Sequence, residues 1–206
     1  MGTLRLFVVR HGETAWTRER RYTGWRDVPL ASEGHVQAEA VARALAANVP
    51  VAICSSPLER ARSTAEAIAK PHRLEVGIEP AFREMGFGDW EGLTREEVSA
   101  RFPAEYATWR EFPHAITPPG GESVAAVAER VAAAVASSRE TYREGTVVLV
   151  THSIVIRLMV LAALGLGPDR LWSVDASPGG ITELEFSGDW VTVHRMNTLA
   201  HLGAPA

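Results

Sequence analysis

Two apolar runs of strand length each end abruptly on a histidine: Leu4 to Val9 leads into Arg10-His11-Gly12, and Thr146 to Val150 leads into Thr151-His152-Ser153. A continuous apolar run suits a strand buried on both faces, and such strands belong to parallel sheets covered by helices. Parallel strands present their C-terminal ends along one edge of the sheet, which is where ligands bind in this architecture. The pattern therefore predicts that His11 and His152, far apart in the chain, meet at one edge.

The segments between the runs supply the covering helices. Val36, Ala40, Val41, Ala44 and Leu45 recur at helical spacing over 32–47, and Asn48-Val49-Pro50 ends that pattern before a short strand over 51–54. Pro57 stands where a first helical turn tolerates it, and Leu58, Ala61, Ala65 and Ile68 mark one apolar face through to Lys70, with Arg62 near that face. Leu74 to Ile78 alternates as a strand. Thr94-Arg95-Glu96-Glu97 has capping-box spacing, Pro118-Pro119-Gly120-Gly121 is a loop, and an alanine-rich helix is expected over 123–142. Ile154 to Leu164 reads as a buried helix closed by Gly165 and Gly167, and Ile181 to Phe186 pairs with Trp190 to His194 as a hairpin. The expected fold is α/β: a three-layer α/β/α arrangement with a mainly parallel central sheet, residues 1–206 forming one domain.

Composition narrows the function classes. The net charge of −4 gives the chain as a whole no attraction for nucleic acid or acidic lipid, so an anionic ligand must be held by a local cluster. The longest greasy stretch, around Val147 to Leu166, is interrupted by His152 and Arg157 and is too short beyond them to span a bilayer. The start Met1-Gly2-Thr3-Leu4-Arg5-Leu6 carries no basic region or cleavage site and has Leu6 where a myristoylation signal wants Ser or Thr. A single cysteine, Cys54, excludes an intramolecular disulfide and a cysteine-based zinc cage, and fits a reducing cytoplasm. Lys70 is the only lysine, so arginine is abundant everywhere and isolated arginines count for little.

Three chemistries compete. Metal ligation needs three or four ligands, and no histidine-rich spacing or cysteine companion supplies them. Cys54 and Arg60 have five residues between them, the spacing of a cysteine-dependent phosphatase loop. That loop, Ser55-Ser56-Pro57-Leu58-Glu59, lacks the glycines that let amides converge on phosphate and puts Glu59 beside the anion. Nucleophilic catalysis by a neutral imidazole is the third.

The motifs favour the third. Arg10-His11-Gly12-Glu13-Thr14, with Trp16 after it, resembles the signature of the histidine phosphatase superfamily, the phosphoglycerate mutase-like proteins. The run from Ser55 to Ala65 resembles the family's second block, Arg83-Glu84-Met85-Gly86-Phe87-Gly88-Asp89-Trp90-Glu91-Gly92 its third, and Val150-Thr151-His152-Ser153 its fourth. The short segment between Glu84 and His152, with Pro119-Gly120-Gly121-Glu122-Ser123, resembles the small phosphatase branch that includes α-ribazole phosphatases and broad-specificity enzymes, whereas mutases tend to carry longer insertions there.

The resemblance implies a metal-independent phosphomonoesterase, without a cofactor, that acts on a small phosphorylated metabolite. It makes His11 the nucleophile, Glu84 the proton donor, and Arg10, Arg62 and a protonated His152 the groups that bind the phosphoryl oxygens. Thr23-Gly24 resembles a substrate-side loop, and Thr17 replaces the asparagine common at its position, weakening an expected phosphate contact. Each role suits its residue type, since phosphoryl transfer spreads charge over three oxygens that guanidiniums complement. A glutamate desolvated by Phe87 and Trp90 retains a proton for the leaving group. Arg18, Arg20, Arg21 and Arg26 read as a solvated basic stretch, and Trp25, Trp109 and Trp172 as core. A mutase and a non-catalytic phosphate binder remain alternatives.

Overall fold

The computed structural model describes residues 2–203; Met1 and residues 204–206, the ends of the span expected as one domain, lie outside the described residues. Six strands, β1 (Thr3–Arg10), β2 (Ala52–Ser55), β3 (Val76–Ile78), β4 (Gly145–Thr151), β5 (Ile181–Ser187) and β6 (Trp190–Thr198), form one sheet in the order β3-β2-β4-β1-β5-β6. The pairs β3–β2, β2–β4 and β4–β1 are parallel, while β5 runs antiparallel to β1 and β6. The expected α/β fold with a mainly parallel sheet is what forms.

Successive side chains on a strand point to opposite faces, and β1 uses both. Leu4, Leu6 and Val8 join a core with α6 (Val124–Thr141) and α7 (Ser153–Ala163). Phe7 and Val9 join a second core against α2 (Ser32–Leu45) and α3 (Glu59–His72). A strand buried on both sides is thus the origin of the apolar run, which Arg5 alone interrupts and does so paired with Glu183.

Differences from expectation lie at element ends. Pro57 stays outside α3, which starts at Glu59 with Leu58 as its N-cap and continues through Pro71 to an αL close at Arg73 (φ 56°). Leu74 is not in β3; its N–H returns to the Ala69 carbonyl at 3.4 Å to finish the helix. The Thr94 capping box forms as expected and starts α4 (Arg95–Arg101). A helix that the apolar spacing does not announce, α5 (Pro103–Glu111), follows it with proline in its first turn. Only Trp109 of α5 is buried, so it has no apolar stripe to read. The remaining helix, α1 (Ala15–Arg18), is one turn closed by a Thr14–Thr17 capping box.

Candidate active site

Register brings the histidines together. In the β1–β4 pair Arg10 lies opposite Thr151, so the next residue of each strand, His11 and His152, leaves the sheet at the same edge. The His11 N–H donates to the Thr151 carbonyl at 3.0 Å, and the two rings stand 5.0 Å apart between centroids.

His11 is held in one orientation. Its Nδ1 lies 2.7 Å from the Gly12 carbonyl, which accepts, so the proton resides on Nδ1 and Nε2 carries the lone pair. The Arg60 Nε–H points at that Nε2 from 3.3 Å. Burial, then the charges of Arg60 and Arg10, hold the imidazole well below its usual pKa despite the opposing Gly12 hydrogen bond. The product is a neutral ring, fixed in tautomer, beside two cations.

Arg10 and Arg60 are themselves desolvated. Burial pulls each guanidinium down to about 10, with Glu84 opposing the shift. Both remain charged at neutral pH. Arg10 donates to the Ala176 carbonyl at 2.6 Å and leaves its buried Nε without a partner among the described residues. Arg60 donates to the carbonyls of Gly24 and Arg26, at 2.8 Å each.

Arg62, expected as the second phosphoryl-binding arginine, does not reach the cavity: it sits on the exposed face of α3, whereas Arg60 is buried and lines the cavity. Two residues along a helix are about 200° apart around its axis, so only one of the pair can face the sheet edge. The Gly24 and Arg26 carbonyls catch Arg60. Gly24 belongs to the expected substrate-side loop and adopts φ +51°, and a Cβ there would meet Glu91 Oε1 at 2.0 Å.

Glu84 is buried in the wall of the cavity that His11 also lines. Its carboxylate accepts from the N–H of Met85 at 2.9 Å and, at 3.5 Å, from that of Ile154 in the first turn of α7. Desolvation raises its pKa above the ordinary carboxylate value, outweighing those hydrogen bonds and the nearby Arg60 and Arg10. Phe87 shares the cavity wall with it, whereas Trp90 packs in the core instead.

A clamp fixes the Glu84 backbone. Arg130 on α6 donates to the carbonyls of Ala81 (2.7 Å), Arg83 (2.8 Å) and Glu84 (3.1 Å), and forms a two-toothed ion pair with Glu122. Glu122 in turn accepts from the Gly86 N–H at 2.9 Å. Trp25 Nε1 adds a further hydrogen bond to the Glu84 carbonyl at 3.0 Å. Sequence alone assigns no clamp to Arg130, Glu122 or Trp25, because they reach the loop from separate elements.

The cavity has a volume of about 540 Å³ and is lined by Arg10, His11, Arg60 and Glu84 together with Thr17, Thr23 and Gly24. Thr17 reaches the wall, but its hydroxyl is engaged by the Thr14 backbone N–H (2.8 Å) and carbonyl (2.9 Å). His152 is fully buried and outside the lining, with Nε2 2.7 Å from Ser56 Oγ and Nδ1 unpartnered among the described residues. Burial, then Arg60, His11 and Arg10, push its pKa well below the usual value. These surroundings oppose the protonated form expected to contact a bound phosphoryl group.

The other readings fare unequally. Cys54 faces away from this cavity, with burial raising its thiol pKa, the reverse of an activated nucleophile. Among the described residues no group of three or more His, Cys, Asp or Glu could hold a metal ion, and no helix is long and apolar enough to cross a membrane. Of the basic stretch, Arg18 and Arg26 pair with Glu13 and Glu91, but Arg20 and Arg21 line the cavity. Trp109 is core as expected, while Trp172 is half exposed in the cavity wall and Trp25 stacks under Arg83, 3.7 Å from its ring centre.

Comparison with known proteins agrees with the geometry. Residues 6–199 match the model of the histidine phosphatase superfamily (branch 1). Phosphoserine phosphatase 1 of Hydrogenobacter thermophilus is 34% identical over 97% of this chain and 95% of its own. The adenosylcobalamin/alpha-ribazole phosphatase of Escherichia coli is 29% identical over 96% of this chain and 97% of its own. The solved structure of Bacillus stearothermophilus YhfR superposes with a TM-score of 0.92 at 32% identity, covering 97% of this chain and 99% of that one.

Proposed function

The chain belongs to the histidine phosphatase superfamily, branch 1, and from that premise we propose that it is a metal-independent phosphomonoester hydrolase working through a phosphohistidine on His11. One observation carries this reading: Nδ1–H of His11 is tied to the Gly12 carbonyl, so the Nε2 lone pair is presented beside Arg10 and Arg60.

In the first half-reaction the Nε2 lone pair attacks phosphorus and the P–O bond to the leaving group breaks. The departing oxygen takes the proton held by Glu84, whose raised pKa suits it to that task. In the second half, water gives its proton to the Glu84 carboxylate and attacks phosphorus. The P–N bond breaks, and inorganic phosphate leaves with His11 neutral again. Arg10 and Arg60 supply the positive charge that the three equatorial oxygens require, which is the basis for metal independence. His152, neutral and unpartnered at Nδ1, gains its contact with the phosphoryl group only when the dianion is bound. Residues 1–206 act as one domain, in the cytoplasm, on a small phosphorylated metabolite.

The test is phosphate release from a panel of monophosphates, with chelator present, for the wild-type chain and His11→Ala. Release that survives chelator and disappears in His11→Ala is expected. An isomerised product in place of inorganic phosphate would replace the hydrolase reading with a mutase, and chelator-sensitive turnover would overturn metal independence.

A further inference from the structure

The loop from Asp175 to Gly180, which leads into β5, meets the nucleophile's strand end at several points. The Ala176 carbonyl accepts from the Arg10 guanidinium at 2.6 Å, and the Gly180 carbonyl accepts from the Arg10 N–H at 3.1 Å. The Gly179 N–H is shared between the carbonyls of Arg10 and His11, at 3.1 and 3.2 Å. Arg10 leaves its buried Nε without a partner, so among the described residues Ala176 is the one hydrogen-bond acceptor that its side chain meets. The direction of that guanidinium therefore depends on where the loop sits. What fixes the loop lies outside the cavity.

We propose that Asn197, on the edge strand β6 and outside the cavity lining, is a positioning residue that holds this loop and through it aims Arg10 at the phosphoryl group. The inference rests on the reading of Arg10 as a phosphoryl ligand and extends the reaction's machinery to a strand that carries none of the sequence motifs.

The Asn197 amide grips the loop with both of its polar atoms. Its Oδ1 accepts from the Ser177 N–H at 2.7 Å, and its Nδ2 donates to the Ser177 hydroxyl at 3.2 Å and to Asp175 Oδ2 at 3.3 Å. Arg157 holds the other oxygen of Asp175 at 2.9 Å, so this carboxylate ties β6 to α7 across the loop. These contacts bracket Ala176 on both sides. The strand is bent where the amide sits: between the pairs Ile181–Thr198 and Glu183–Arg195, Met196 and Asn197 stand opposite Thr182 alone, a bulge in which Asn197 takes φ 46°. The Asn197 N–H donates to Thr182 Oγ1 at 3.1 Å. Glycine adopts such a φ with less strain, so the bulge by itself gives no reason for a side chain. What asparagine adds is the amide on the loop. The approach is close, since a Cβ on Gly180 would lie 2.2 Å from Asn197 Oδ1. His201, with Nε2 2.9 Å from the Gly179 carbonyl, braces the far end of the loop and not the segment that carries Ala176.

The experiment measures orthovanadate, a phosphate analogue whose binding needs no turnover, by calorimetry in the wild type, Asn197→Gly, Arg10→Ala and the double variant. Phosphate release from p-nitrophenyl phosphate and thermal unfolding are followed alongside. Asn197→Gly suits the backbone conformation and deletes the amide; it is expected to weaken orthovanadate binding about tenfold and to lower kcat by at least as much. In the Arg10→Ala background the same substitution is expected to change binding by less than about twofold, because a residue that acts through Arg10 then has nothing to aim. Asn197→Asp sets a second carboxylate against Asp175 and is expected to weaken binding as well. Asn197→Asp/Asp175→Asn exchanges donor and acceptor across that contact and is expected to recover binding to within about threefold of the wild type. Val193→Ala, on the same strand but packed against the core that α6 and α7 form, is expected to lower the Tm and leave binding unchanged. Undiminished binding in Asn197→Gly, an equal loss with and without Arg10, no recovery in the exchanged pair, or a matching loss in Val193→Ala would overturn the positioning role. An Arg10→Ala variant that binds orthovanadate as the wild type does would overturn the phosphoryl contact and the role built on it. If the coupling to Arg10 appears while no monophosphate is hydrolysed, the hydrolase reading falls and the positioning role stands.

Discussion

Substituting Arg60 and Arg62 one at a time separates two guanidiniums that stand two positions apart in the chain. Arg60→Ala removes the donor aimed at His11 Nε2 and the contacts to the Gly24 and Arg26 carbonyls. Losing one preorganised donor to a developing oxyanion costs about 3–4 kcal/mol, so kcat should fall by roughly two to three orders of magnitude. Two carbonyls lose their partner as well, each worth about 1–3 kcal/mol if left buried and unpaired, so the Tm should also drop. Arg60→Lys keeps a charge but not the three-way fork, and should recover the Tm further than the rate. Arg62→Ala removes an exposed side chain with no hydrogen bond or ion pair among the described residues, and should change stability by no more than about 0.5 kcal/mol. The assay is steady-state phosphate release at saturating substrate, paired with thermal unfolding to show that each variant is folded. A folded Arg60→Ala that loses less than about tenfold, or an Arg62→Ala that loses a hundredfold, would refute the assignment and return the phosphoryl contact to Arg62.

Further outcomes follow from the same geometry. The lowered pKa of His11 keeps the nucleophile neutral below the usual imidazole value, and the raised pKa of Glu84 keeps the acid protonated above the usual carboxylate value. The kcat/KM profile should therefore lose activity on the alkaline side as Glu84 ionises. Glu84→Gln should cost about 10²–10⁴ in rate and flatten that limb; an unchanged limb would assign it to another group. Arg130→Met dissolves the clamp on the Glu84 loop and should lower kcat about tenfold or more with little change in KM, while shifting the Glu84 limb. A purely structural role for Arg130 would lower the Tm and leave the pH profile in place. Gly12→Ala puts a Cβ 2.3 Å from the Gly34 carbonyl oxygen, so the motif loop and α2 must part; the expected loss is about 1–3 kcal/mol in denaturant unfolding, and a variant as stable as the parent would show that this approach is not tight.

What the sequence by itself determined were the features that short stretches encode. Largely apolar runs specified strands buried on both faces, and from parallel strands it follows that their C-terminal residues share an edge. His11 and His152 could be placed together for that reason, and the β1–β4 register bears this out. Capping chemistry worked in the same way at Thr94, because the signal lies within one turn. Tertiary structure alone decided which side chains face the reaction. The choice between Arg60 and Arg62 depends on the rotation of α3 against a loop some 35 residues earlier, whose carbonyls anchor one of them. His152 and Thr17 are present as read, but the hydroxyl and backbone groups packed around them determine which of their atoms are free. The cavity wall also draws on α5, which buries too little apolar surface to be seen from its own periodicity. Local pattern records how each segment meets water and core; a site assembled from several segments depends on their relative rotation and distance, which only the packed chain sets.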